Sequence, residues 1–108
     1  MPPSTLGEFE VLVLLAVLRL GSDAYPPAVR ADIERRTARD TSRGAVYVTL
    51  DRLETKRLVE SRLLAAGPAG ARARRTYAIT PRGLKAVRGA LAAVDGMRSG
   101  LEAMLEKS

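Results

Sequence analysis

TSRGAVYVTLDRLETKRLVE, residues 41–60, has the pattern of a helix followed by a strand. Its apolar side chains Val46, Leu50 and Leu53 recur at intervals of three and four residues, which places them in one stripe along a helix. The opposite face carries small side chains and one cation: Gly44, Ala45, Val48 and Arg52. A helix with so slim an outer face can lie very close to another macromolecule, and the rest of the chain indicates which kind.

The composition limits the chemistry that this chain can perform. Its 108 residues suffice for one domain with a modest core. The sequence contains no cysteine and no histidine, so disulfides, thiolate metal sites and the commonest acid–base side chain are excluded. An enzyme could still use Asp, Glu, Lys or Tyr, but the composition favours a protein that is not an enzyme and has no metal or cofactor.

Positive charge is concentrated in one part of the sequence. The net charge is +6, yet residues 1–20 carry −1, and residues 61–80 carry four arginines and no acidic residue. Such a patch suits a polyanion or an anionic membrane surface. The alternative is a solvated loop that keeps the protein soluble.

The N-terminal apolar segment is predicted to be a buried helix. Thr5 and Glu8 are spaced as a capping box, and the helix is expected to end at about Leu20, before Gly21. The run VLVLLAVL, residues 11–18, is too short to span a bilayer, and no targeting segment is visible; a cytoplasmic protein is expected. Because the helix is apolar nearly all round, its second side is expected to pack against another subunit or, alternatively, within the core of a monomer.

Two further helices follow in a compact arrangement. Pro26 or Pro27 fits the first turn of the second helix, where a missing amide does no harm. Thr41 or Ser42 is expected to cap the third helix after a short connection, as in a helix-turn-helix.

A hairpin is predicted after the third helix. Residues 58–64 and 76–80 alternate as strands do, and the segment between them, AAGPAGARARR, is rich in Gly, Ala and Arg. It predicts a projecting basic loop, a wing that spans about residues 65–75. Thr80 followed by Pro81 predicts the start of a last helix.

The last helix, residues 81–108, carries a heptad pattern with one polar interruption at Arg98. An amphipathic helix of this length has little local core to cover, so the pattern favours pairing between two subunits. The predicted dimer interface combines the first and last helices: Leu6, Phe9, Leu12, Val13, Leu84, Val87, Leu91, Val94, Leu101 and Leu105. The same seam could enclose a cavity for a small-molecule effector, lined by Phe9, Leu12 and Met97, but the scarcity of aromatic residues favours the alternative that these side chains are simply core.

The order of elements, three helices, a strand, a basic loop, a strand and a helix, is a winged helix-turn-helix arrangement, mainly α-helical with a small β-hairpin. The major groove of DNA admits a helix whose N-terminal surface is slim, and the third helix, residues 42–57, offers such a surface. Arginines of the loop would follow the DNA backbone or enter the minor groove. The predicted DNA contacts are Ser42, Arg43, Gly44, Ala45, Tyr47, Val48, Arg52, Lys56, Arg72, Arg74 and Arg75.

Some of these side chains have a structural alternative. Tyr47 borders both faces of the helix, so it either reaches a phosphate with its hydroxyl or is a plain core tyrosine. Arg52 and Lys56 either contact DNA or lie on a solvated face, paired with Asp51 or Glu60.

Two ordered motifs resemble those of the PadR family of bacterial transcriptional regulators. GAVYVTLDRLE, residues 44–54, is similar to the family signature G-x-[LIV]-Y-x-x-L-x-x-L-E, and RRTYAITPRG, residues 74–83, is similar to its R-[KR]-x-Y-x-[IL]-T-x-x-G segment. DAYPPAV, residues 23–29, resembles its H-G-Y-x-[IL] entry to the second helix. The resemblance, which covers about residues 6–88, implies a dimeric winged-helix repressor whose third helix and wing contact DNA and whose first and last helices form the dimer.

The expected organisation is that of the compact branch of this family. Residues 1–80 form the winged helix-turn-helix, and residues 81–108 form a C-terminal dimerisation helix of the same compact unit. Two positions depart from the family pattern: Arg57 stands where a glycine usually precedes the strand, and Ala24 replaces the glycine of the entry motif. A non-glycine residue in a left-handed cap is unfavourable, so the end of the third helix is expected to be shaped differently.

The sequence thus predicts a sequence-specific DNA-binding transcriptional regulator, a homodimer on a near-palindromic operator, with repression barely favoured over activation. One alternative is a protein-interaction or dimerisation module whose winged-helix fold no longer contacts DNA; its outer helix face would be acidic or blocked, and this sequence shows the opposite. Another is a protein that binds structured RNA through the cationic loop, although side chains reach the A-form major groove poorly.

Overall fold

The computed structural model describes residues 6–64 and 73–107 and has the predicted winged helix-turn-helix fold. The elements, in chain order, are α1 (Glu8–Leu20), a 3₁₀ turn (Gly21–Asp23), α2 (Pro26–Thr37), α3 (Arg43–Thr55), β1 (Val59–Leu64), β2 (Arg74–Ile79), α4 (Pro81–Arg98) and α5 (Glu102–Glu106). Two predicted features, most of the wing with Arg72 and the cap residue Thr5, lie outside the described residues.

α1 begins later than predicted and ends where predicted. Its N-cap is Gly7, whose amide donates to Glu10 Oε1 at 2.8 Å. The prediction of a Thr5–Glu8 capping box is therefore wrong, because the helix begins at Glu8 and the carboxylate that accepts the N-cap amide belongs to Glu10. The helix ends at Gly21, where φ is +56°, a conformation that glycine adopts without steric cost.

α2 and α3 form the helix-turn-helix. Pro26 occupies the first turn of α2, and Val29 and Ile33, one turn apart, are buried in the core. Ser42 Oγ accepts the amide of Ala45 at 3.0 Å and caps α3. The predicted starts of both helices are confirmed, since each depends on contacts within one helical turn.

α1 is the central helix of the core. Val13, Leu14 and Val17 are at most 2% exposed, and α1 contacts α2, α3, β2 and α4. A single chain therefore covers most of the circumference of this helix. The remaining buried apolar side chains surround it: Ala16, Ala24, Val29, Ile33, Val46, Leu50, Leu53, Leu58, Val59, Tyr77 and Val87.

The two strands pair antiparallel, with Leu64 opposite Arg74 at the end of the ladder. The ladder places Arg74 and Arg75 inside β2. The prediction that both arginines belong to the loop of residues 65–75 is therefore wrong for these two positions. Strand pairing, which extends β2 toward the wing, depends on a partner that local alternation does not reveal.

α4 begins as predicted but is shorter than predicted. Thr80 Oγ1 accepts the amide of Gly83 at 3.0 Å and caps the helix. The helix ends at Arg98, since Ser99 turns to an extended ψ of 128° and Gly100 has a φ of +89°. The continuous helix over residues 81–108 is therefore wrong, and two predicted seam residues lie beyond the break: Leu101 and Leu105.

α3 ends in a left-handed turn at Arg57, where φ is +64°. The amide of Arg57 donates to the carbonyl of Glu54, and the amide of Leu58 donates to the carbonyl of Leu53, both at 2.9 Å; these are the two bonds of a Schellman motif. The expected change of shape is therefore wrong: Arg57 adopts the conformation that favours glycine. Ala24 has a φ of −82°, which any L-residue adopts, so no glycine is needed there.

Candidate nucleic-acid interface

α3 buries one face and exposes the other. Val46, Leu50 and Leu53 are at most 1% exposed, whereas Tyr47 and Val48 are 43% and 56% exposed. The buried stripe predicted from the sequence is confirmed. The other predicted residues at the start and on the outer face of α3 are also exposed: Ser42, Arg43, Gly44, Ala45 and Arg52.

The N-terminal end of α3 is sterically open. A Cβ atom at Gly44 would meet no atom within 4 Å among the described residues. The exposure of Tyr47 removes the alternative of a plain core tyrosine. Arg43 occupies the first helical position. Its positive charge and the positive end of the helix dipole therefore both attract an anion, such as a phosphate, to this end of α3.

Lys56 is not part of this open face. Its Nζ forms an ion pair with Glu10 Oε2 at 2.9 Å, and Glu10 is 5% exposed. Burial acts to raise the pKa of Glu10, but hydrogen bonds from Lys56 and the Gly7 amide outweigh it, so the pKa lies below its ordinary value. Lys56 thus links α3 to α1, and its partner is Glu10 rather than Asp51 or Glu60.

Arg74 and Arg75 are held at the base of the hairpin. The Arg74 guanidinium lies over the ring of Tyr25, with 4.3 Å between Cζ and the ring centroid. Arg75 Nη1 donates to Ser61 Oγ at 2.9 Å, and Ser61 Oγ donates to Glu54 Oε2 at 2.6 Å. Arg75 is therefore connected through Ser61 to α3.

The cations of α1 and α2 are largely neutralised by acidic partners. Asp32 is 1% exposed and pairs with Arg19, Arg35 and Arg36. Burial acts to raise the pKa of Asp32, but the hydrogen bonds and charges of Arg36 and Arg19 outweigh it and hold the pKa below its ordinary value. This cluster carries an ionised carboxylate inside the protein.

The cations of α3 and the hairpin are not neutralised in this way. Within residues 6–64 and 73–107, five arginines of these elements form no ion pair: Arg43, Arg52, Arg62, Arg74 and Arg75. α4 also has cations without an acidic partner in that range, among them Lys85 and Arg88. Since α3 and β2 also carry the exposed small residues and the stacked arginine, positive charge and steric access coincide there.

The predicted dimer residues divide by exposure. Val13 and Val87 are 0% and 2% exposed in the single chain, so they belong to its core and cannot contact a partner directly. Four are partly buried beside the core: Leu6, Phe9, Leu12 and Leu84. Four are exposed: Leu91, Val94, Leu101 and Leu105.

A groove of about 960 Å³ lies between α1 and α4. Apolar side chains dominate its lining, among them Val11, Leu12 and Ala90. Of the three residues predicted to line an effector cavity, Leu12 lines this groove and Phe9 and Met97 do not; Met97 is 80% exposed.

The helix-turn-helix, the hairpin that follows it and the open face of the third helix define a winged helix-turn-helix protein. The sequence model of the PadR-like family of transcriptional regulators matches residues 14–89. The chain belongs to this family, and the resemblance seen in its motifs is confirmed. In the part of the chain that the structure describes, every helix is too short or too polar to cross a membrane.

Solved structures of regulators share this fold. A PadR family transcription regulator from Clostridium difficile is 20% identical with a TM-score of 0.75, over 92% of this chain and 99% of that chain. A PadR-like transcriptional regulator from Bacillus cereus is 21% identical with a TM-score of 0.70, over 90% of each chain. A PadR family transcriptional regulator from Eggerthella lenta is 25% identical with a TM-score of 0.66, over 94% of this chain and 88% of that chain. Comparison with curated protein sequences gave no match.

Sequence reasoning missed the residues that hold the charged side chains in place. Glu10 and Lys56 are 46 residues apart, and the Tyr25–Arg74 stack also joins distant parts of the chain. No local pattern indicates such pairs. Tyr25 was visible in the DAYPPAV motif, but nothing there pointed to Arg74.

Proposed function

We propose that this chain is a sequence-specific DNA-binding regulator that acts as a homodimer and represses transcription from a near-palindromic operator. The observation that carries the proposal is the outer face of α3, which is exposed, slim and accompanied by Arg43 and Arg52, neither of which has an ion-pair partner among the described residues. Such a surface fits the major groove of DNA.

Each part of the surface has a distinct role in this proposal. Arg43 and Arg52 contact base edges, where a guanidinium matches the two acceptors of guanine. Val48, an exposed apolar side chain, suits a thymine methyl group. Arg74, in the hairpin, and Arg72, outside the described residues, contact the DNA backbone, so they supply affinity without sequence preference.

The dimer is supported by an apolar surface on α4. Leu91, Val94 and Met97 are 39%, 62% and 80% exposed, and a second copy would remove such side chains from water. A two-fold dimer presents two α3 helices to two half-sites, which requires a near-palindromic operator. In this arrangement residues 1–80 carry the DNA contacts, and residues 81–108 form the dimerisation segment, which pairs together with α1 within one compact unit.

The groove between α1 and α4 is the place that we propose for regulation by a small molecule. It borders the apolar surface of α4 and is itself mostly apolar. An apolar effector bound there would change how the two subunits meet, and with it the spacing of their α3 helices. Loss of DNA binding would then relieve repression.

The test compares three arginine variants on two DNA duplexes. Footprinting on the DNA upstream of the gene defines the first duplex, and a shuffled sequence of the same composition is the second. We expect Arg43→Ala and Arg52→Ala to weaken binding to the first duplex about tenfold or more and to affect the shuffled duplex less, because they contact bases. Arg74→Ala is expected to weaken binding to both duplexes alike.

Lys107→Ala, which removes one positive charge from the C-terminal segment, is the charge-matched control and is expected to leave both affinities near wild type. Equal losses on both duplexes for all three arginine variants would contradict this division of roles. A wild-type protein that binds neither duplex at low salt would contradict the proposal itself.

A further inference from the structure

The Arg74 guanidinium is placed without an acidic partner. It lies over the Tyr25 ring at 4.3 Å, and it forms no ion pair with any described residue. A cation over a ring face is attracted by the ring quadrupole. This contact does not use the N–H donors of the guanidinium, which remain available to a phosphate in its plane.

The backbone fixes both members of this pair. The amide of Tyr77 donates to the carbonyl of Ala24 at 2.8 Å, so β2 is tied to the residue that precedes Tyr25. The amide of Tyr25 donates to the carbonyl of Asp23 at 2.9 Å, and its carbonyl accepts the amide of Val29 at 3.0 Å. The backbone of Tyr25 is therefore held at the start of α2, beside the strand that carries Arg74.

The start of α2 lacks the amide donors of its first two positions. Pro26 and Pro27 occupy its first two positions, and proline has no N–H group. A helix that contacts the DNA backbone commonly does so through amides of its first turn. Arg74, whose guanidinium lies over the ring of the N-cap residue Tyr25, brings N–H donors to this end of α2.

Beside this pair lies a groove of about 750 Å³ that Tyr25, Tyr47 and Tyr77 line together with Arg74. Tyr77 is 4% exposed, and its hydroxyl has no hydrogen-bond partner among the described residues. Burial, together with the charges of Asp51 and Glu54, raises its pKa, so this hydroxyl stays neutral. The carboxylate of Asp51 disfavours an anion inside the groove, which leaves the rim beside the guanidinium as the place for a phosphate.

We propose that Tyr25 is a positioning residue that orients Arg74 to bind a backbone phosphate of DNA, at the point where one DNA strand passes between α3 and the hairpin. This inference rests on the proposed function, because its ligand is the DNA that α3 binds. It adds a role for a residue outside α3 and the wing. It also makes the Arg74 contact dependent on the ring of Tyr25 rather than on its hydroxyl group.

The experiment compares Tyr25→Leu, Tyr25→Phe and Arg74→Ala by fluorescence anisotropy on the footprinted and the shuffled duplex, each titrated with salt. We expect Tyr25→Leu to weaken binding to both duplexes about threefold, the effect of losing an exposed cation–π contact, and Tyr25→Phe to bind like wild type. Arg74→Ala is expected to lower the slope of log affinity against log salt by about one. Added to Arg74→Ala, Tyr25→Leu is expected to have no further effect.

Three results would overturn the inference while leaving the proposed function intact. Wild-type affinity of Tyr25→Leu would show that the stack does not matter for binding. Equal losses in Tyr25→Phe and Tyr25→Leu would assign the contact to the Tyr25 hydroxyl, and additive losses in the double variant would separate Tyr25 from Arg74. A misfolded Tyr25→Leu variant would also show additive losses in the Arg74→Ala background. Thermal unfolding of every variant distinguishes that case from a folded protein in which Tyr25 acts separately from Arg74. A wild-type protein that binds neither duplex would instead overturn the proposed function.

Discussion

At the scale of single residues, Asp32 combines burial with full charge. Its Oδ1 accepts Arg36 Nε at 3.1 Å and Arg35 Nη2 at 3.2 Å, and its Oδ2 accepts Arg19. We expect Asp32→Asn to lower the free energy of unfolding by about 2 kcal/mol, because charge-assisted hydrogen bonds are lost while the exposed arginines regain water. Urea unfolding measures the change. Asp95→Asn, which breaks an exposed ion pair of α4, is the control and should change stability by less than about 0.5 kcal/mol.

The contribution of Asp32 should depend on pH in one direction. Its folded pKa lies below the ordinary value of 3.8, so the ionised side chain stabilises the fold fully above that value and loses this effect as the pH falls through the folded pKa. The stability gap between wild type and Asp32→Asn is therefore expected to be constant from about pH 7 to pH 5 and to close below about pH 4. The lowered pKa of Glu10 affects both proteins alike. A gap that stayed constant in strong acid would contradict an ionised Asp32.

Arg57 bears a local steric cost that glycine would not. Its φ of +64° is unfavourable for a residue with a Cβ atom by about 1 kcal/mol. We expect Arg57→Gly to raise the free energy of unfolding by about this amount, as measured by urea unfolding. Arg57→Ala keeps the Cβ atom and removes the guanidinium, so it should remain near wild type. A similar gain in both variants would place the cost in the guanidinium rather than in the backbone.

At the scale of elements, the junction between α3 and α4 depends on Gly83. A Cβ atom there would lie 2.0 Å from the carbonyl oxygen of Leu58 and 2.9 Å from Cγ1 of Ile79. We expect Gly83→Ala to lower the free energy of unfolding by about 2–3 kcal/mol, since the clash with backbone cannot be relieved by a side-chain rotation. Gly96→Ala, in the same helix with nothing within 4 Å among the described residues, should gain up to about 1 kcal/mol. Destabilisation of both variants to the same extent would contradict the close contact.

Element starts could be predicted where the deciding contacts are local. Pro26, Ser42 and Thr80 mark the starts of α2, α3 and α4, because a cap or a first-turn proline acts within one turn. The start of β2 at Arg74 could not be predicted, because it depends on pairing with a distant strand. The end of α4 was missed because the heptad pattern continues past Gly100, whose left-handed conformation interrupts it.

In the candidate site, too, the features set by local sequence could be predicted, and those set by contacts between distant residues could not. The buried stripe of α3 fixes which side of that helix faces outward, so exposure of Val48 follows from helical geometry. Tyr47 borders both faces of the helix, and only the tertiary packing shows that it is exposed. The partners of Lys56 and Arg74 lie in distant parts of the chain, and packing of α1 and α2 against the rest brings them close. Whether an arginine is free or paired is therefore a property of the tertiary structure, which the sequence pattern does not contain.

At the scale of the whole molecule, the proposed dimer depends on the exposed apolar surface of α4. We expect Val94→Arg to convert a dimer into a monomer, because a charge would be buried at the interface without a partner, and to weaken binding to the operator at least about tenfold, because one half-site is lost. Sedimentation velocity and anisotropy measure the two effects. Ala92→Arg, roughly 160° around the helix from Val94, adds the same charge and should stay dimeric. A dimeric Val94→Arg protein would contradict this placement of the interface.

The most direct test of DNA recognition by α3 is the affinity of the unmodified protein for its own upstream DNA. Fluorescence anisotropy on this duplex and on a shuffled duplex, each titrated with salt, separates sequence preference from charge attraction. We expect binding to the upstream duplex to be at least about 100-fold tighter than to the shuffled one at about 0.15 M salt. Absence of binding to both duplexes at low salt would contradict DNA recognition by α3.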